Sequence, residues 1–170
     1  MTSLSDSLDR RGNDGTLRRM MLLRLTLALL VSANVLAQEK TTVVFVCEHG
    51  AARSVIAAAY FNRLAAERHL PYHAIARGTS PQEELSVATV KGLEADGIAF
   101  ERAKPRELTE ADTKDAVRLM AFCPIPEKFA RILRVEEHED VPDISANYAA
   151  ARDKIVAYVT ALLDEIERSR

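Results

Sequence analysis

Hydrophobic positions along the chain alternate between two periods. From Thr41 to Cys47 (TTVVFVC) β-branched and aromatic residues run without a polar interruption, the pattern of a strand buried on both faces. From Ser54 the spacing turns helical, with Ala57, Tyr60, Phe61 and Leu64 sharing one face, and this helix is expected to end near Pro71. Tyr72 to Ala76 predicts a second strand, stopped by Gly78-Thr79-Ser80-Pro81. Glu83 to Asp96 predicts a helix with Gly97 as its cap. Leu108 to Ala111 opens a short helix, and Ala116 to Phe122 (AVRLMAF) reads as a third central strand, with a weaker strand over Arg131 to Glu136. From Tyr148, the apolar residues Ala151, Ile155, Val159, Leu162 and Ile166 keep helical spacing, which predicts a long amphipathic helix closing the chain.

Strand and helix alternating in this way argue for an α/β sandwich around a parallel sheet, whose ligands sit beyond the carboxyl ends of the strands. Cys47 stands at such an end. With 170 residues, 48% hydrophobic and 28% charged, the composition is that of one ordinary globular domain, assigned here to residues 41–168. A formal net charge of −2, without a clustered basic face, argues against nucleic acid as a partner.

The first 37 residues have a different character. Arg18 and Arg19 precede an apolar stretch whose main core, Leu25 to Ala37, is shorter than the roughly 20 residues needed to cross a bilayer. With small residues at Val35 and Ala37, residues 1–37 read as a cleavable secretory signal, so the mature protein is expected in the periplasm or outside the cell, without a stable membrane span.

Between the first strand and the first helix lies Cys47-Glu48-His49-Gly50-Ala51-Ala52-Arg53. Backbone N–H groups turned inward at a helix N-terminus hold a tetrahedral oxyanion, and an arginine can grip two of its oxygens. The same field favours a cysteine thiolate, the form that attacks phosphorus or arsenic. A leaving oxygen needs a proton, and Asp140-Val141-Pro142-Asp143-Ile144-Ser145 offers two carboxyl groups that could equally be turn and capping residues. His69 and His73 are separated by Pro71 and do not share a helical face, so no metal is expected there.

VVFVCEHGAARS resembles the phosphate-binding loop of the low-molecular-weight protein tyrosine phosphatases and of the related thiol-dependent arsenate reductases, and the resemblance extends through ARGTSP, LEADGI and DVPDIS. It implies a three-layer, Rossmann-like α/β sandwich with a four-stranded parallel sheet, and neither metal nor organic cofactor. It implies Cys47 as nucleophile, Arg53 as oxyanion clamp, Asp143 as general acid and Ser54 as the donor that holds the thiolate. Glu48, His49, Gly50, Ala51 and Ala52 complete the substrate-binding loop.

The chain departs from the family pattern at Gly50, where an asparagine usually braces the loop in a left-handed turn. Glycine adopts the turn but supplies no brace, so an empty loop is expected to be mobile and Gly50→Asn to tighten phosphate binding. Glu48 sets a carboxylate where a dianion should arrive.

Three activities fit these residues. The first is a phosphomonoesterase acting through a phosphocysteine. The second is an arsenate reductase, with Cys123 or an external thiol to resolve the arsenylated cysteine, and the third an exported oxyanion-binding protein with little activity. The implied partners are a phosphorylated substrate or inorganic oxyanion and, for a reductase, an outside thiol.

Overall fold

The computed structural model describes residues 41–131 and 135–169. The proposed signal over 1–37 lies outside the described residues.

Four strands, β1 (Thr41–Cys47), β2 (Tyr72–Gly78), β3 (Ala116–Ala121) and β4 (Val135–Glu137), form one parallel sheet in the order β2-β1-β3-β4. β1 is central, paired with β2 along its whole length and with β3 on its other side. The uninterrupted apolar run has its reason in this position. Val43, Phe45 and Cys47 enter one core cluster, while Val44 and Val46 enter another. From Val43 to Cys47 each residue finds a dry environment whichever face it points to.

The first cluster lies under α1 (Arg53–Glu67), α2 (Val87–Ala95) and the long α5 (Tyr148–Arg168). The face predicted for α5 is the buried one: Ala151, Ile155, Val159, Leu162 and Ile166 all lie in the core. Each fully buried Ile, Leu or Val contributes about 1.5–3 kcal/mol, so this face is a large part of what fixes the helix to the sheet. Asn147 begins α5 by accepting the Ala150 N–H at 3.0 Å. The second cluster, covered by Leu108 and Phe129, is smaller and contains Cys123. The short α3 (Glu110–Lys114) starts at Thr109 with a reciprocal capping box to Asp112, and α4 (Glu127–Ala130) follows Pro126.

Several predicted boundaries move. The helix expected from Glu83 begins only at Val87, because the backbone of residues 79–86 is engaged elsewhere, as described below. The weak strand predicted from Arg131 is the three-residue β4, and residues 132–134 fall outside the described set. The Gly97 cap is present: φ is +65° and the N–H of Ile98 returns to the Leu93 carbonyl at 2.9 Å.

One carboxylate ties the helical layer together. Asp96, at the end of α2, accepts from Tyr60 of α1 and Tyr148 of α5 at 2.7 Å each, and from Arg152 of α5 at 3.0 Å. Burial alone would push the Asp96 carboxyl up. The tyrosine hydroxyls and the Arg152 charge outweigh it and hold the group below its ordinary range. Burial and the Asp96 hydrogen bond together push the Tyr60 phenol up to about 12.

Candidate active site

β1 ends and α1 begins on either side of the loop 48–52, at the carboxyl edge of the sheet. Cys47 is 4% exposed, and its Sγ lies 3.1 Å from the Oγ of Ser54, which is completely buried. A hydroxyl at that distance donates to a thiolate, and burial leaves Ser54 little else to bind. No acidic residue occupies the first turn of α1, so the positive end of its dipole is not neutralised there.

The loop is held from outside by its carbonyl groups. The N–H of Thr79 donates to the Cys47 carbonyl at 3.2 Å and that of Ser80 to Glu48 at 2.7 Å. The N–H of Gln82 donates to His49 at 3.2 Å and that of Ser86 to Ala51 at 3.0 Å. These bonds explain why residues 79–86 do not join α2. They also have a chemical consequence. With the carbonyls turned away, none of the N–H groups of residues 48–54 finds an acceptor among the described residues, and unclaimed backbone donors in series are what an oxyanion needs.

This arrangement corrects the expectation that the loop lacks a brace. Gly50 has φ +62°, the left-handed conformation expected of it. The brace is the backbone that follows β2, not a side chain at position 50. A β-carbon on Gly50 would sit 2.8 Å from the backbone nitrogen of Gly78, so Gly50→Asn cannot be accommodated without displacing the loop.

A cleft of about 330 Å³ opens over the loop. Cys47, Glu48, His49, Ala51, Ala52 and Arg53 form its floor and one side. Gln82 and Ser86 form a second wall, and Asp143, Ile144 and Ser145 a third. Gly50 is buried behind the loop and Ser54 lies beneath Cys47, so these two act on the cleft from behind. Arg53 donates one guanidinium nitrogen to the Phe122 carbonyl at 3.3 Å, which anchors the side chain and leaves its other N–H groups for a ligand.

Of the two candidate acids, the structure brings only Asp143 to the cleft. Its Oδ1 accepts the N–H groups of Ser145 and Ala146 at 2.8 and 2.9 Å, so it is also the turn residue that its neighbours suggested. Oδ2 stays available for proton transfer. Asp140 instead binds Lys154 and Tyr158 on α5, and the bond from Lys154, then that from Tyr158, keep its carboxyl below the usual range.

Cys123 is buried in the core cluster on the other face of the sheet from Cys47, with its Sγ 4.0 Å from the Thr79 hydroxyl. Both cysteines are free thiols. Burial pushes the Cys123 thiol up to about 11 against the Thr79 hydrogen bond, and the negative charges of Cys47 and Glu48 add to the rise. Among the described residues no cluster of His, Cys, Asp and Glu could hold a metal ion.

Gln82 and Ser86 were not foreseen. Their segment carried turn residues and helical spacing, and nothing local in the sequence indicates that a backbone will be used to hold another loop.

A parallel α/β domain that presents a thiol, an arginine and free backbone amides at the end of its central strand has the parts of an oxyanion-binding site. The family model for low molecular weight phosphotyrosine protein phosphatase matches residues 42–170, and the chain belongs to that family of hydrolases. Comparison with curated protein sequences finds no match.

Among solved structures, YfkJ from Bacillus subtilis superposes with a TM-score of 0.67 at 22% identity, covering 78% of this chain and 98% of its own. A low molecular weight protein tyrosine phosphatase from T. tengcongensis gives 0.63 at 21%, covering 74% and 99%. A thioredoxin-dependent arsenate reductase from Corynebacterium glutamicum gives 0.61 at 22%, covering 84% and 70%. At these identities the likeness is one of fold, and it includes both phosphatases and arsenate reductases.

Proposed function

We propose that this protein is a phosphomonoesterase that works through a phosphocysteine intermediate. The observation that carries the reading is the loop whose carbonyls at Cys47, Glu48, His49 and Ala51 are held from behind, with its amides, Arg53 and the Cys47 thiol left at one cleft. In the proposed reaction a phosphomonoester dianion settles on the free N–H groups and Arg53, with phosphorus above Sγ. Cys47 attacks in line, and the bond to the leaving oxygen breaks as Asp143 supplies its proton through Oδ2. Water, deprotonated by the same carboxylate, then attacks the phosphocysteine, and the thiolate leaves towards the Ser54 hydroxyl. The amides and Arg53 stabilise the charge on the equatorial oxygens in both steps.

The chemistry of Cys123 favours this over a self-resolving arsenate reductase. A thiol with its pKa near 11 is ionised in only about one molecule in ten thousand at pH 7, and the thiolate is the attacking species. Reduction of arsenate by this chain would depend on an external thiol. The basic and apolar character of residues 1–37 supports export, so the proposed site of action is outside the cytoplasm.

Steady-state kinetics of residues 38–170 on p-nitrophenyl phosphate, and on arsenate with an added thiol, test the reading. Turnover of the ester, lost in Cys47→Ser, is the expected result. Thiol consumption with arsenate but no ester hydrolysis would instead establish the reductase.

A further inference from the structure

We propose that the cleft selects oxyanion esters whose leaving group carries a positive charge, and that Glu48 is the residue that reads this charge. The inference rests on the oxyanion site described above and names its substrate class.

Glu48 immediately follows the nucleophile, is exposed and lines the cleft. Its side chain makes no hydrogen bond or ion pair with a described residue, while its carbonyl accepts the Ser80 N–H. It adjoins Cys47 in the chain and lines the same cleft, which places it at the reacting end. Asp143 lines the same cleft, and Arg53 is the one permanent cation among the residues lining it.

For a simple phosphate dianion, the Glu48 carboxylate beside the one guanidinium makes a poorer reception. A cation carried on the leaving group reverses the sign of the Glu48 contribution, from repulsion to attraction. The walls agree with this. Among the described residues no Phe, Tyr or Trp lines the cleft, whose one ring is His49 and whose apolar side chains include Ala51, Ala52 and Ile144. A short polar chain with an ammonium or guanidinium group would meet Glu48, Gln82 and Ser86.

The test uses two ligands of similar size, 2-aminoethyl phosphate and propyl phosphate, and reads how well each protects Cys47 from alkylation by iodoacetamide, mapped by mass spectrometry. This readout does not require turnover. The aminoethyl ester should protect the wild-type protein at about fivefold lower concentration, the size of one exposed charge pair worth up to about 1 kcal/mol. Added salt should shrink the preference.

Glu48→Gln should bring the two ligands within about twofold, weakening the cationic ligand and strengthening the neutral one, and Glu48→Asp should keep part of the preference. Equal protection in the wild type, or a preference that survives Glu48→Gln, overturns the proposal. Protection by inorganic phosphate and by neither ester also overturns it, while leaving the anion site intact. Hydrolysis of p-nitrophenyl phosphate, followed in parallel, reports separately on the phosphatase reading.

Discussion

Gly50 and Gly78 approach so closely that a β-carbon on either would lie 2.8 Å from the backbone nitrogen of the other. Gly78 is itself fixed, donating to the Arg106 carbonyl and accepting from the Leu108 N–H, both at 2.9 Å. Position 78 therefore sets where the anion loop can lie. Gly78→Ala should push the loop away from the 79–86 segment and weaken the bonds that hold its carbonyls. The expected cost is about 1–3 kcal/mol by denaturant unfolding together with at least a tenfold loss of kcat/KM. Activity within twofold of wild type would show that this contact does not position the loop.

Asp143 is both a turn residue and the carboxyl at the cleft, and leaving-group dependence separates the two roles. In Asp143→Asn, hydrolysis of phenyl phosphate should fall by about 10²–10⁴-fold, while p-nitrophenyl phosphate, whose phenol leaves without a proton, should lose far less. Equal losses on both substrates would reduce Asp143 to a structural residue.

The two thiols should respond differently to pH. Because burial raises Cys123 to about 11, its alkylation by iodoacetamide should stay slow until the pH approaches that value, and phosphate should not protect it. Cys47 should be modified first and be protected by phosphate. The raised Cys123 value also contributes stability that is fully present below the ordinary thiol range and is lost as pH rises towards 11. Rapid modification of Cys123 at neutral pH would return the self-resolving reductase to consideration.

The Asp96 junction predicts an acid-sensitive fold. Its carboxyl is held below the ordinary range, so its contribution is present above that range and disappears as pH falls through the lowered value. Asp96→Asn should cost about 1–3 kcal/mol near neutrality and flatten the loss of stability in acid. Thermal unfolding at a series of pH values reads both effects. Gly92 supports the same junction, since a β-carbon there would fall 2.2 Å from the Tyr148 ring.

The elements most legible in the sequence were those whose residues answer to one environment. The run Thr41 to Cys47 has the pattern of a doubly buried strand, and Ala151, Ile155, Val159, Leu162 and Ile166 of α5 share one side. The thiol, the arginine and Ser54 were legible because helix-terminus chemistry is local: the residues that make the site adjoin in sequence. What holds the loop was not. The 79–86 segment acts through its N–H groups, which every non-proline residue possesses, so its role leaves no mark in residue type. Gly78 likewise looked like a strand stop, because close approach between two backbones appears only when both are placed.

Trapping the reaction intermediate tests the account most directly. Asp143→Asn, mixed with p-nitrophenyl phosphate and quenched in acid within milliseconds, should carry one phosphoryl group, and peptide mapping should place it on Cys47. The nitrophenol burst should match the amount of enzyme, and Cys47→Ser should show no turnover. Steady hydrolysis with no phosphoryl group on Cys47, or hydrolysis that survives Cys47→Ser, would contradict the account.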